Sequence, residues 1–370
     1  MALLTGLFIL YFLLLILMLA GWKMAMSRPV EEVTSKEPLI SVIIPVRNEE
    51  MRIGTLLKDL SVQEYKNFEI IVVNDDSEDE TLWMVSRYEL KNLNVVHNKG
   101  KGKKAAITTG IAAARGSIVV TTDADCSVRP QWLKYIRAPF REQKVMMVFG
   151  GVRMQGEKRF FDSLQSMEFS SLIGSGASTA ALGFPTMCNG ANLAFRRNVF
   201  SELKGYQDNL DIPSGDDEFL MRKIHKRYPK GVRFINHPDA IVTTGTQDNP
   251  EAFLNQRIRW ASKWKYNSSR ITQAVAVAVV LFQLTFLVNW VLVFTPYILQ
   301  SFFFIAIKMI LEAAVLLQVC RFLSARWNWL AFFTLQVIYP FYVIGVAITS
   351  FFRPFEWKHR IYKPEKGVSR

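Results

Sequence analysis

Apolar positions along this chain fall into two kinds of run, and the two kinds predict different structures. At the ends the runs are long. Ala2 to Trp22 is nearly continuous Leu, Ile, Phe and Ala, and similar stretches cover Ile271 to Phe294, Tyr297 to Val319 and Leu330 to Phe352. About twenty apolar residues in a helix cross a bilayer core, so each run predicts a membrane helix. The first run has no basic start and no small-x-small cleavage site before Lys23, which predicts an anchor rather than a cleaved signal peptide. In the third run Lys308 and Glu312 stand one helical turn apart, a spacing that allows an ion pair on one face.

Between the ends the apolar runs are short. Leu39 to Pro45, Phe68 to Val73, Asn94 to Val96 and Ser117 to Thr121 read as strands. Ile53, Leu56, Leu57 and Leu60 share one helical face, and a second helix is expected over Ala105 to Ala114. Strands alternating with helices predict an α/β fold with a mostly parallel sheet, whose ligands sit outside the carboxyl ends of the strands. Asn48, Asp75 and Asp123 follow three of those ends. Ordinary turn chemistry explains any one of them but explains the set poorly.

Composition sharpens this picture. The chain has 370 residues, half of them hydrophobic, and a formal net charge of +13. No recognition-helix or zinc-finger pattern accompanies the basic excess, so no nucleic-acid partner is expected; the charges beside the apolar runs suit anionic lipid. Cys126, Cys188 and Cys320 show no C-x-x-C spacing, which argues against a disulfide framework or a thiolate metal site. Lys23 and Arg28 place the central region in the cytoplasm by the positive-inside tendency. Three further crossings would then leave Arg353, Lys358, Arg360, Lys363, Lys366 and Arg370 outside, against the same tendency. The middle C-terminal run is therefore the candidate for a re-entrant or interfacial segment.

Four segments carry candidate chemistry. In TTDADC an extended chain would turn Asp123 and Asp125 to one side, as carboxylate ligands for Mg²⁺ or Mn²⁺ shared with substrate phosphates. In SGDDEFL, Asp216, Asp217 and Glu218 open a helix that is either a dipole-stabilised surface helix or the carrier of a general base. QRIRW brings Gln256, Arg259 and Trp260, followed by Lys263, Trp264 and Lys265. An interfacial helix accounts for Lys263, Lys265 and Arg270. An arginine fork also suits a diphosphate, and a tryptophan face suits a sugar ring. LIGSGASTAALGF, from Leu172 to Phe184, reads as a loop or loose helix over an acceptor entrance, or as a plain connector.

From Ser41 to about Trp264 these segments resemble the family 2 glycosyltransferases with the GT-A fold. The subgroup they resemble is the membrane-embedded one of cellulose, chitin, hyaluronan and poly-N-acetylglucosamine synthases and ceramide glucosyltransferases. SVIIPVRNEE resembles the uridine-contacting first strand, which implies nucleotide contacts by Pro45, Asn48 and Glu49. VVNDDSEDET implies base and ribose contact by Asp75, and KGKGKKAAITTG places Lys103 near uracil and phosphate. TTDADC matches the metal-binding D-x-D, with Asp123 also beside the nucleotide. The acidic motif implies Asp217 as the base, with Asp216 beside the sugar, and QRIRW matches Q-x-x-R-W through Gln256, Arg259 and Trp260. MCNGAN, with Gly190 and Asn192, resembles the segment beside the acceptor pocket. Asn74 and Thr108 depart from the usual aspartate and asparagine.

The resemblance implies an inverting, metal-dependent transfer from a UDP-sugar to a membrane lipid. A processive exopolysaccharide synthase acting on a growing glycan is the competing expectation, and an inactive scaffold or nucleotide sensor a remote one. The expected organisation is an anchor over 1–22, a cytoplasmic GT-A nucleotide-sugar-binding domain over 23–255, and an interfacial Q-x-x-R-W segment over 256–270. A membrane region over 271–352 and a basic tail over 353–370 complete it, in a bacterial inner membrane.

Overall fold

The structure, a computed structural model, describes residues 2–28, 38–156, 158–210, 212, 215–263, 270–352, 355–357 and 360–362. Helix α1 (Ala2–Met26) leads into β1 (Ile40–Val46), α2 (Ile53–Ser61), β2 (Phe68–Asn74), α3 (Thr81–Ser86), β3 (Leu93–His97), α4 (Lys103–Ala113) and β4 (Ile118–Thr121). Next come α5 (Trp132–Arg137), β5 (Met147–Gly150), β6 (Val152–Gln155), α6 (Phe160–Ala181), β7 (Leu193–Arg196) and α7 (Arg197–Glu202). They are followed by α8 (Asp216–Arg227), β8 (Val232–Ile235), β9 (Val242–Gly245) and α9 (Pro250–Ser262). Three long helices, α10 (Arg270–Leu292), α11 (Ile298–Leu323) and α12 (Trp329–Phe352), precede a short hairpin, β10 (Phe355–Trp357) and β11 (Arg360–Tyr362).

The main sheet runs β3-β2-β1-β4-β7-β5-β8, and only β7 opposes its neighbours. This is the mostly parallel, Rossmann-like sheet that the alternation predicts. Helices cover both faces of its first strands, so β1 and β2 are mostly apolar and almost entirely buried, with Ser41 donating to Glu69 at 2.7 Å. Each buried Ile or Val there contributes roughly 1.5–3 kcal/mol. Register pairs Val46 with Asn74 and Ile43 with Thr121, which brings Asp75 and Asp123 to one edge.

Four helices among the described residues are long and apolar enough to cross a membrane: Ala2–Met26, Gln273–Leu292, Ile298–Leu323 and Trp329–Ser350. The run expected to be re-entrant or interfacial is one unbroken helix of 26 residues, long and apolar enough to cross a membrane. Its charges are neutralised inside the bundle. Lys308 Nζ lies 2.9 Å from Glu312 and 2.6 Å from Gln336 Oε1 on α12, and the Tyr11 hydroxyl of α1 donates to Glu312. Trp264, Lys265 and most of the basic tail lie outside the described residues.

The stretch from Leu172 to Phe184 is not a loop. It belongs mostly to α6, an unbroken 22-residue helix. Its small residues serve close packing instead: a Cβ on Gly174 would meet Val319 of α11 at 2.7 Å, and one on Gly21 of α1 would meet the Ser178 carbonyl at 2.7 Å. The end of α1 and the last turns of α11 enter the core of the sheet. Trp22 packs on Phe234 and Phe322, while Val319 and Leu323 join the same buried cluster.

Candidate active site

The strand ends deliver their side chains to one cleft. Asp75 is held rigidly: its Oδ1 accepts from Asn98 Nδ2 at 2.7 Å and from the Gly102 amide at 3.1 Å. Gly102, with φ of 85°, turns the chain so that its N–H reaches that carboxylate just before α4 begins at Lys103. Beyond β4 the chain does not stay extended, contrary to the i, i+2 argument. Pairing with β1 ends at Thr121, and the Cys126 amide donates to the Asp123 carbonyl at 3.1 Å, closing a turn. Asp123 and Asp125 nevertheless both border the cleft.

The acidic segment is bound to the strand ends by short links. Thr121 Oγ1 donates to the Gly190 carbonyl at 2.9 Å, and the Gly190 amide donates to Asp217 Oδ2 at 3.0 Å. A Cβ on Gly190 would lie 3.0 Å from Asp216 Oδ2, a tight contact that would press on that carboxylate. The first turn of α8 is therefore not a solvated surface helix: Asp216 and Glu218 are buried. Burial raises the Asp217 carboxyl to about 6, with Lys263 opposing and Asp216 and Glu218 adding to the rise. Lys103 Nζ stands 2.5 Å from Asp123 Oδ1 and 3.7 Å from Asp216 Oδ2. Burial alone would lower its ammonium, but these acids hold it above its usual value.

Asn249 caps α9 by accepting from the Ala252 amide at 2.9 Å, and Pro250 starts the helix. That start aims Gln256, Arg259 and Trp260 at the same cleft. Of the residues singled out from the sequence, Pro45, Glu49, Asp75, Lys103, Asp123, Asp125, Gly190, Asp216, Asp217, Gln256, Arg259 and Trp260 all border one cavity of about 1900 Å³.

Two do not. Asn192 is fully buried: its amide donates to the Gly151 and Ala240 carbonyls at 2.8 and 2.7 Å, and its oxygen accepts from Trp132 Nε1 at 3.1 Å. Every polar atom of that side chain is engaged in the frame, so it is corrected to a structural role. Asn48 is not part of the cavity lining, and its Oδ1 accepts from the Glu78 amide at 2.9 Å. The headgroup reading of Lys263 is also corrected: its Nζ lies 2.6 Å from Glu218 Oε1, inside the site.

Sequence reasoning passed over Arg47, Glu168 and Arg257, which also border the cavity. Arg47 Nη1 donates to the Asp75 and Asp76 carbonyls at 2.8 and 2.6 Å. The available signal for Glu168 was a lone charged residue among uncharged ones in SLQSMEFSSL.

The comparisons with known proteins agree with this geometry. Residues 41–204 match the family model described as Glycosyl transferase family 2. The Bacillus subtilis (strain 168) protein named "Probable glycosyltransferase YdaM" is 28% identical over 62% of this chain and 56% of its own length. A poly-beta-1,6-N-acetyl-D-glucosamine synthase of Staphylococcus aureus (strain COL) is 27% identical over 60% of this chain and 53% of its own. The chain thus spans about half the length of these curated relatives. Among solved structures, a mannosyltransferase from Pyrobaculum calidifontis in complex with GDP-Man and Mn²⁺ superposes with a TM-score of 0.56. It is 20% identical and covers 94% of this chain and 96% of that one, a likeness of fold. Residues 41–204 are a Glycosyl transferase family 2 domain, built on a GT-A fold and set among helices of membrane length.

Proposed function

We propose that the protein moves a sugar from a nucleotide diphosphate donor, a UDP-sugar, onto a lipid-borne acceptor at the cytoplasmic face of a bacterial inner membrane. The observation that carries this reading is the reach of the cavity. From Asp123 and Asp217 it continues without a break to apolar walls formed by Leu14 and Met18 of α1, Val279 of α10 and Val346 of α12. A soluble acceptor has no need of such walls; an acyl or prenyl chain does. Incubating membranes that contain the protein with labelled nucleotide sugars should yield solvent-extractable label. Label that stays insoluble would favour the second reading, a polymer synthase, which the named Staphylococcus relative supports.

In this reading the donor lies along the strand ends, against Pro45, Glu49, Asp75 and Lys103. Asp217 takes the proton of the acceptor hydroxyl as its oxygen attacks the anomeric carbon from the face opposite the diphosphate, inverting it. The amides of Gly190 and Glu218 aim that carboxylate. Arg259 binds the departing diphosphate, and Trp260 and Gln256 hold the acceptor beside the sugar being transferred. Asp123 and Asp125 are the residues that would hold Mg²⁺ or Mn²⁺, which when bound would neutralise charge on the leaving group. Among the described residues no group of three or more acids, histidines or cysteines could hold a metal by itself. Two carboxylates opening on a cavity suit a cation that shares the oxygens of the donor.

Two outcomes follow from these assignments. Asp125→Ala should weaken UDP binding by calorimetry only when Mn²⁺ is present; an equal loss without metal would remove Asp125 from coordination. Because the base must be unprotonated and burial raises the Asp217 carboxyl to about 6, kcat/KM should be flat above that pH. Below it, the rate should fall about tenfold per pH unit. A flat profile down to pH 5 would exclude Asp217 as the base.

A further inference from the structure

Helix α9 carries a buried ion pair that this chemistry does not use. The side chains of Arg257 and of Glu168 on α6 are 3% and 5% exposed. Arg257 Nη2 donates to Glu168 Oε2 at 2.5 Å and Nε donates to Oε1 at 3.1 Å, a two-point pairing that fixes the guanidinium plane. The hydroxyl of Tyr342, on membrane helix α12, donates to the same Oε1 at 3.2 Å. The guanidinium carbon lies 4.4 Å from the ring centres of Phe253 and of Trp260, and Nη1 donates to Gln256 Oε1.

Stability alone is a poor reason for this arrangement. A buried pair regains little more than its desolvation cost, and apolar residues of similar volume commonly serve as well. What the pair supplies is orientation. It engages the carbonyl oxygen of Gln256, leaving the amide's donors for whatever occupies the cavity, and it sets the plane of the Trp260 ring. Glu168 on α6 and Tyr342 on α12 line the same cavity as the apolar residues of α1, α10 and α12.

We propose that Glu168, Arg257 and Tyr342 are positioning residues that set Gln256 and Trp260 for the acceptor, and so tie transfer to the seating of α12. The inference rests on the glycosyl-transfer reading.

The test uses the full chain in phosphatidylethanolamine–phosphatidylglycerol nanodiscs supplied with native lipid extract, with labelled UDP-glucose, UDP-N-acetylglucosamine and GDP-mannose. Removing one partner alone would strand a buried charge and unfold the site. The informative variant is therefore Glu168→Met with Arg257→Met. It should fold and bind Mn²⁺–UDP as the wild type does, while transfer to lipid falls about 100-fold and the ratio of donor hydrolysis to transfer rises. Tyr342→Phe should raise the KM for lipid acceptor without changing that for donor. Wild-type transfer by the double variant, or loss of Mn²⁺–UDP binding in step with transfer, would overturn the role while leaving the reaction intact. A wild type that transfers from none of the three donors would overturn the transfer reading and this role together.

Discussion

Asp217→Asn is expected to cut sugar transfer by about 100- to 10,000-fold, the range that a positioned general base contributes. The substitution is nearly isosteric and removes one of three consecutive acids, so the like-charge crowding by Asp216 and Glu218 falls. One of the two amides now bonded to the carboxylate, from Gly190 or Glu218, would face an N–H₂ group instead. An unsatisfied buried donor costs about 1–3 kcal/mol, which the fold should survive. The measurement pairs single-turnover transfer with Mn²⁺–UDP calorimetry. Transfer should collapse while nucleotide binding stays, and the acid limb of the pH profile should vanish from the residual rate. A purified variant that transfers at a rate near wild type would remove Asp217 from catalysis.

Arg259→Lys should lower kcat by about 100- to 1,000-fold, the usual loss on removing one preorganised donor to developing charge. Lysine keeps the charge but not the planar fork that grips two diphosphate oxygens at once. The loss should therefore appear in kcat more than in the KM for donor, because the diphosphate gains charge only as the sugar leaves. A change confined to KM would make Arg259 a ground-state anchor. Helix α9 should remain in place in this variant, since the Asn249 cap and the Arg257–Glu168 pair are untouched.

β1 and β2 were legible because they are buried on both faces, which forces mostly apolar runs such as ISVIIPV and FEIIVVN. β5, β7 and β8 escaped notice: each has four residues, too few to show a period, and each takes its place from pairing partners far along the chain. The site was legible where polar side chains follow strand ends or open a helix, as with Asp75, Asp123 and Asp217, and where QRIRW marks Arg259; all four line one cavity. It was misread where tertiary contact decides. Asn192 looked available for an acceptor, yet two backbone carbonyls and Trp132 claim it. Lys263 looked like a lipid-facing lysine, yet Glu218 draws it inward. The small-residue stretch of α6 looked loose because propensity counts its Gly, Ser and Thr residues as weak helix formers, whereas close neighbours need Gly174 and Gly176 small.

Membrane helices and sheet are not joined by a tether. Trp22 and Leu323 are part of the same interior as Phe234, and Gly151 lets α11 come so near that an added methyl would strike Leu323 at 2.8 Å. A joint packed this tightly has no swivel. In the proposed reading, Asp217 then stands at one set height over the bilayer, and the protein would work as a caliper. Among lipid acceptors of like chemistry it would choose those whose hydroxyl rides at that height, whatever lies beyond it in the chain.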